Sequence, residues 1–162
     1  MNKTKVENKG IDQDIFDAIC NIQEYSPIFR SLGLKFIYLG EGVAMLKMSP
    51  APEFSSYAGR ANGGILATLA DNVMGMASMT LGHIARTVEM NLNYFLPVFQ
   101  ETELTAQGYV INAGKTLIVA EASLYDNNGK LAAKSRGTYV PDIHFDLTGE
   151  RFLISLGITS PS

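Results

Sequence analysis

The chain has 162 residues, a length that suits one domain with a single core. Hydrophobic residues make up 46% and charged residues 18%, a balance that excludes an intrinsically disordered chain. Net charge is −3 with Lys and Arg scattered, so no basic stripe points to nucleic acid as a partner. Cys20 is the only cysteine. No internal disulfide can form, and a reducing, cytoplasmic setting is the expectation.

In chain order, residues 1–10 are polar, lack the apolar core of a signal peptide, and read as a flexible N-terminus. Ile11, Ile15, Ile19 and Ile22 follow at helical spacing, with Asp12, Asp14 and Asp17 in the early turns, where the helix dipole favours acids. That helix is expected to end near Ser26-Pro27. Two strands follow, over 34–38 and 43–48, joined by the Gly40-Glu41-Gly42 turn. Residues 49–60 form a loop with Pro50, Pro52 and Gly59, and a long helix is predicted from Gly63 to Leu81, stopped by Gly82.

Beyond it the periodicity becomes that of strands. Residues 87–96, 102–112, 115–125 and 130–140 are rich in Val, Thr, Tyr, Ile and Leu. Their connections are short, and Asp126-Asn-Asn-Gly129 is a good hairpin turn. The pattern predicts a four-stranded antiparallel meander covered by the long helix. Residues 11–141 then make a single domain and 142–162 a C-terminal extension, in which Phe152, Leu153, Ile154 and Leu156 suggest a docked segment.

The long helix carries the chemistry. Between Arg60 and Arg86 the one formal charge is Asp71. A carboxylate in so apolar a stretch must be hydrogen-bonded, paired or protonated. A membrane span is disfavoured by Asn62, Thr68, Asp71, Asn72, Thr80 and His83 within it. Gly63-Gly64 opens the helix, where backbone N–H groups have no intrahelical partner. Donors at a helix start and a carboxylate two turns along are the parts of an acyl-transfer site. Neither His83 nor His144 has a ligand partner at metal spacing, so no metal is expected. Met74, Met76, Met79 and Met90 are read as core filling ahead of an acyl tunnel.

Gly59-Arg-Ala-Asn-Gly-Gly-Ile-Leu-Ala-Thr-Leu-Ala-Asp71 resembles the glycine, His-Gly-Gly, Asp signature of the phenylacetate-type acyl-CoA thioesterases. Thr87-Val-Glu-Met-Asn-Leu-Asn-Tyr-Phe-Leu-Pro97 resembles that family's second signature. The resemblance implies an α+β hotdog fold, a curved antiparallel sheet wrapped around a long central helix. It implies hydrolysis of acyl-CoA without a cofactor, coenzyme A being part of the substrate. Asp71 falls on the base or nucleophile, Gly63 on the oxyanion donor and Thr87 on the orienting hydroxyl. These groups would meet across the interface of a homodimer or a dimer of dimers. Gly64 is placed beside the substrate. Asn112, Gly114, Lys115 and Thr116, with Arg136 on the last strand, are the candidates for the coenzyme A end.

Two positions depart from the family pattern. Asn62 replaces the signature histidine and suits a helix N-cap. Ser56 stands where many members carry asparagine. Losing one oxyanion donor costs about 2.7–4 kcal/mol of barrier, so slow turnover is the expectation. A hotdog protein that binds acyl-CoA or another apolar ligand without turnover is the alternative, with a dehydratase or hydratase a weaker third.

Overall fold

The computed structural model describes residues 5–142 together with Asp146, Leu147, Gly149 and Ile154. Strand β1 (Glu7–Lys9) precedes helices α1 (Gln13–Tyr25) and α2 (Pro27–Leu32). Strands β2 (Lys35–Gly40) and β3 (Val43–Met48) lead into the long helix α3 (Gly63–Met79). Strands β4 (Ala85–Tyr94), β5 (Leu104–Ala113), β6 (Ile118–Tyr125) and β7 (Leu131–Pro141) complete the order. All seven strands join one sheet in the order β1-β2-β3-β5-β6-β7-β4, antiparallel except for β1 against β2.

The expected elements form for the expected local reasons. Asp12 caps α1 by accepting from the N–H groups of Asp14 and Ile15. Ile19 and Ile22 of α1 are buried, as their spacing requires. At the β6–β7 hairpin the Asp126 carboxylate accepts from the N–H groups of Asn128 and Lys130. Gly129 there takes a φ of +74°, which glycine adopts without steric cost.

Three features differ from the pattern. Residues 7–9, expected to be flexible, pair along Tyr38–Gly40 as β1. Pro27 ends α1 but also starts α2, because proline's missing N–H costs nothing in a first helical turn. The meander holds for β5, β6 and β7 only. β4 pairs with β7 at the far edge instead of with β5. Its connection to β5 is no hairpin turn: Val98 accepts from the Ala61 N–H, and the Gln100 N–H donates to Gly59. The nine residues of this link cross the start of α3 and tie it down. The proposed tail contacts of Phe152, Leu153 and Leu156 lie outside the described residues, while Ile154 is exposed.

The core lies between α3 and the concave face of the sheet. Leu66, Leu69, Val73, Met74 and Ala77 of α3 are buried there. Opposite them stand small residues: Ala44, Gly108, Ala122 and Ser135 follow one another across β3, β5, β6 and β7. Small side chains let the helix backbone approach the sheet. The approach is closest at Gly108, where a Cβ would lie 2.5 Å from the Val73 carbonyl oxygen and 2.7 Å from its carbon. Both are backbone atoms inside a packed helix and cannot swing aside.

Gly108→Ala is therefore expected to destabilise the protein by about 1–3 kcal/mol, the usual cost of overpacking. That outweighs the gain of about 0.4–1 kcal/mol from a stiffer unfolded chain. The midpoint of urea unfolding reads the sign directly.

Candidate active site

The start of α3 is held from two sides. Asn62 is its N-cap, and its Oδ1 accepts from the Gly64 N–H at 2.8 Å. The Tyr94 hydroxyl on β4 donates to the Gly63 carbonyl at 2.8 Å. These two bonds grip opposite ends of the Gly63–Gly64 peptide unit. The Gly63 N–H, in the preceding peptide, has no acceptor among the described residues. A donor left open at the positive end of a helix dipole suits developing negative charge on an oxygen.

Two turns further on, the Asp71 carboxylate is half-buried at the junction of α3 with β4 and β7. Its Oδ1 accepts from the Thr87 hydroxyl at 2.8 Å and from the Tyr139 hydroxyl at 3.1 Å. Thr87 and Tyr139 are direct partners in the β4–β7 register, so their side chains share the concave face. Oδ2 has no hydrogen-bond partner among the described residues. Burial, reinforced by the Asp71 charge and by the bond to it, pushes the Tyr139 hydroxyl well above its ordinary range. Tyr139 therefore stays a proton donor to this carboxylate through neutral pH.

The remaining candidates fall in three places. Ser56 is turned into its own loop, where both its N–H and its hydroxyl donate to the Arg60 carbonyl. Asn112, Gly114, Lys115 and Thr116 lie at the β5–β6 turn, with Asn112, Lys115 and Thr116 exposed. That turn closes the rung Thr87, Tyr139, Ile118, Ala113, three strand spacings or about 14 Å from Thr87. Arg136 is exposed on the other face of β7 from Tyr139, opposite Glu121 in register, and is not brought to Asp71. Met74 and Met76 are buried in the core. Cys20 is half-buried, and burial followed by the charge of Asp17 pushes its thiol up to about 11, the setting of an inert cysteine. His83 is exposed, and His144 lies outside the described residues.

Two groups at the site, Tyr94 and Tyr139, have no signal in the local sequence. Each is an aromatic residue in a strand, where aromatics are common. Their roles appear only once β4 is seen to pair with β7 beside α3.

A cleft of about 310 Å³ opens beside Gly63, and Ser56 lines it too, with Tyr57, Arg60, Leu66, Tyr94 and Phe95 among others. Asp71 does not line it. Among the described residues no group of three or more His, Cys, Asp or Glu side chains is placed to hold a metal ion. No helix there is long and apolar enough to cross a membrane.

One helix enclosed by a curved, mostly antiparallel sheet defines this as a hotdog-fold protein. The profile of the thioesterase superfamily matches residues 58–133, the stretch from the helix entry to the last strand. A Saccharolobus solfataricus protein named "Putative esterase" is 32% identical over 114 residues, covering 69% of this chain and 81% of its own. Human acyl-coenzyme A thioesterase 13 is 26% identical over 129 residues, covering 78% of this chain and 91% of the human one. Among solved structures, the PaaI protein of the phenylacetic acid degradation operon of E. coli superposes with a TM-score of 0.77. It shares 22% identity, covering 82% of this chain and 96% of its own. A Streptococcus mutans protein bound to acetyl CoA superposes with a TM-score of 0.65 at 22% identity, covering 67% and 88%. The chain belongs to the thioesterase superfamily.

The raised Tyr139 hydroxyl makes stability depend on alkaline pH. The unfolded chain releases this proton near the ordinary value of 10, whereas the folded protein retains it. The contribution is complete below that value and is lost as pH climbs above it, by up to about 1.4 kcal/mol per unit. Urea midpoints taken from pH 8 to 11 are expected to fall above pH 10, and to fall less steeply in Tyr139→Phe.

Proposed function

We propose that this protein hydrolyses acyl-CoA thioesters, with Asp71 as base for a water or as nucleophile and the Gly63 N–H as oxyanion donor. The observation that carries this is a carboxylate held by one oxygen, with the other unpartnered, on the same helix whose first N–H is unpaired. The human relative's name and the acetyl CoA bound by the streptococcal structure support the choice of thioester. As base, Asp71 takes a proton from water while the water oxygen adds to the carbonyl carbon. The oxygen made negative rests on the Gly63 N–H. Collapse of the adduct breaks the C–S bond with its electron pair going to sulfur. The proton taken up by Asp71 passes to that thiolate, releasing coenzyme A and the free acid and restoring the carboxylate.

Within one chain, Asp71 follows Gly63 by eight residues, about 12 Å along the helix axis. That is too far for both to touch one carbonyl. A second copy joined along the open edge of β4 resolves this, with Asp71 and Thr87 of one subunit facing Gly63 of the other. The exposed Val88, Tyr94 and Phe95 on and after that edge suit such burial. The acyl group then occupies the cleft beside Gly63, next to Gly64. Lys115, with Asn112, Gly114 and Thr116 around it, meets the phosphates of coenzyme A, and Arg136 is a more distant contributor. The reaction needs no cofactor.

A second reading, binding of acyl-CoA without turnover, rests on Ser56 and Asn62. The Ser56 hydroxyl donates within its own loop, and the Asn62 Oδ1 is held by the helix cap.

Thiol release from short, medium, long and aromatic acyl-CoAs separates the two. Wild-type turnover that falls by about 10²–10⁴ in Asp71→Asn, the share a general base supplies, supports hydrolysis. Saturable binding of the same thioesters with no thiol released supports the second reading.

A further inference from the structure

We propose that Tyr139 is a positioning residue: with Thr87 it clamps Asp71 by Oδ1, which leaves Oδ2 as the oxygen that reacts. The inference rests on the reading of Asp71 given above and deepens it.

Tyr139 lies in β7 and is 1% exposed, so its hydroxyl must find a partner inside the protein. Two acceptors of the same residue are within reach. The Asp71 main-chain carbonyl is 3.5 Å away, at the limit of a hydrogen bond, whereas Oδ1 is 3.1 Å away. The side chain thus favours the carboxylate over an acceptor that would have met its own need. Its ring is held in place by an absence. A Cβ at Gly137, two residues earlier on the same face of β7, would lie 2.8 Å from the ring and 3.0 Å from the hydroxyl. The same point lies 3.2 Å from the Met74 methyl. The ring thus occupies the space that a side chain at 137 would fill, with its hydroxyl on Asp71.

The convergence of two hydroxyls on one oxygen has a chemical consequence. Thr87 approaches Oδ1 from β4 and Tyr139 approaches it from β7. Two donors draw charge to Oδ1 and prevent the carboxylate from rotating. Oδ2 keeps its lone pairs for a water or a thioester carbon. With Thr87 alone, the carboxylate would pivot about a single bond.

Tyr139→Phe removes only the hydroxyl and keeps the ring that fills the core. The carbon-13 signal of the Asp71 carboxyl at neutral pH, assigned with Asp71→Asn, reads the contact without any substrate. Loss of one of the two donors to Oδ1 is expected to displace that signal. On the best acyl-CoA, kcat should fall about tenfold or more with KM nearly unchanged. An Asp71 signal that stays in place overturns the proposal, whatever happens to kcat. So does a variant that loses only thermal stability while kcat matches the wild type. A wild type silent on every acyl-CoA overturns the thioesterase reading instead, and the substrate-free spectrum tells the two failures apart.

Discussion

A seventeen-residue helix with one charged side chain cannot rest on a flat sheet and leave its other flanks in water. The rest of the fold follows from enclosing α3. The sheet curls until β3, β4, β5, β6 and β7 all touch the helix. Its concave face is lined with alanine, glycine and serine so that the backbones can approach. Gly108 marks where this has gone furthest, since no side chain fits between β5 and the Val73 carbonyl. The helix is thereby fixed in rotation and along its axis, and Asp71 with it.

Enclosure also explains why β4 leaves the meander. A strand that directly follows α3 can close the far side of the sheet only by pairing with β7. The chain then crosses the helix start before entering β5. Two consequences serve the site. Thr87 becomes the neighbour of Tyr139, and both reach the same carboxylate oxygen. The crossing segment binds the loop before α3, and Tyr94 at the end of β4 holds the Gly63 carbonyl. One topological step therefore organises both the start of the helix and its middle, where Asp71 lies.

The departures at positions 56 and 62 gain a physical meaning from this arrangement. Asn62 caps the helix by holding the Gly64 N–H, which leaves the Gly63 N–H as the open donor. A neutral amide does this at every pH, unlike a histidine. Ser56 is committed to its own loop. In the proposed reaction the oxyanion would thus depend on fewer donors than the family pattern provides, while the carboxylate has one more hydroxyl than the motif suggests.

Much of this was legible in the sequence, because it depends on neighbours along the chain. The α1 spacing, the hairpin at Asp126–Gly129, the cap at Asn62 and the helix running from Gly63 are local matters of periodicity and turn chemistry. So is the isolation of Asp71, a single carboxylate in an apolar run. Two spaced signatures named the family for the same reason. What the sequence could not decide are pairings between distant segments: β1 beside β2, β4 beside β7, and Tyr94 and Tyr139 against the helix. In a strand, a tyrosine bound for a carboxylate looks the same as one bound for the core. Only the closure of the sheet around α3 brings residue 139 to residue 71, since burial is settled by the whole chain at once and not by any window of it.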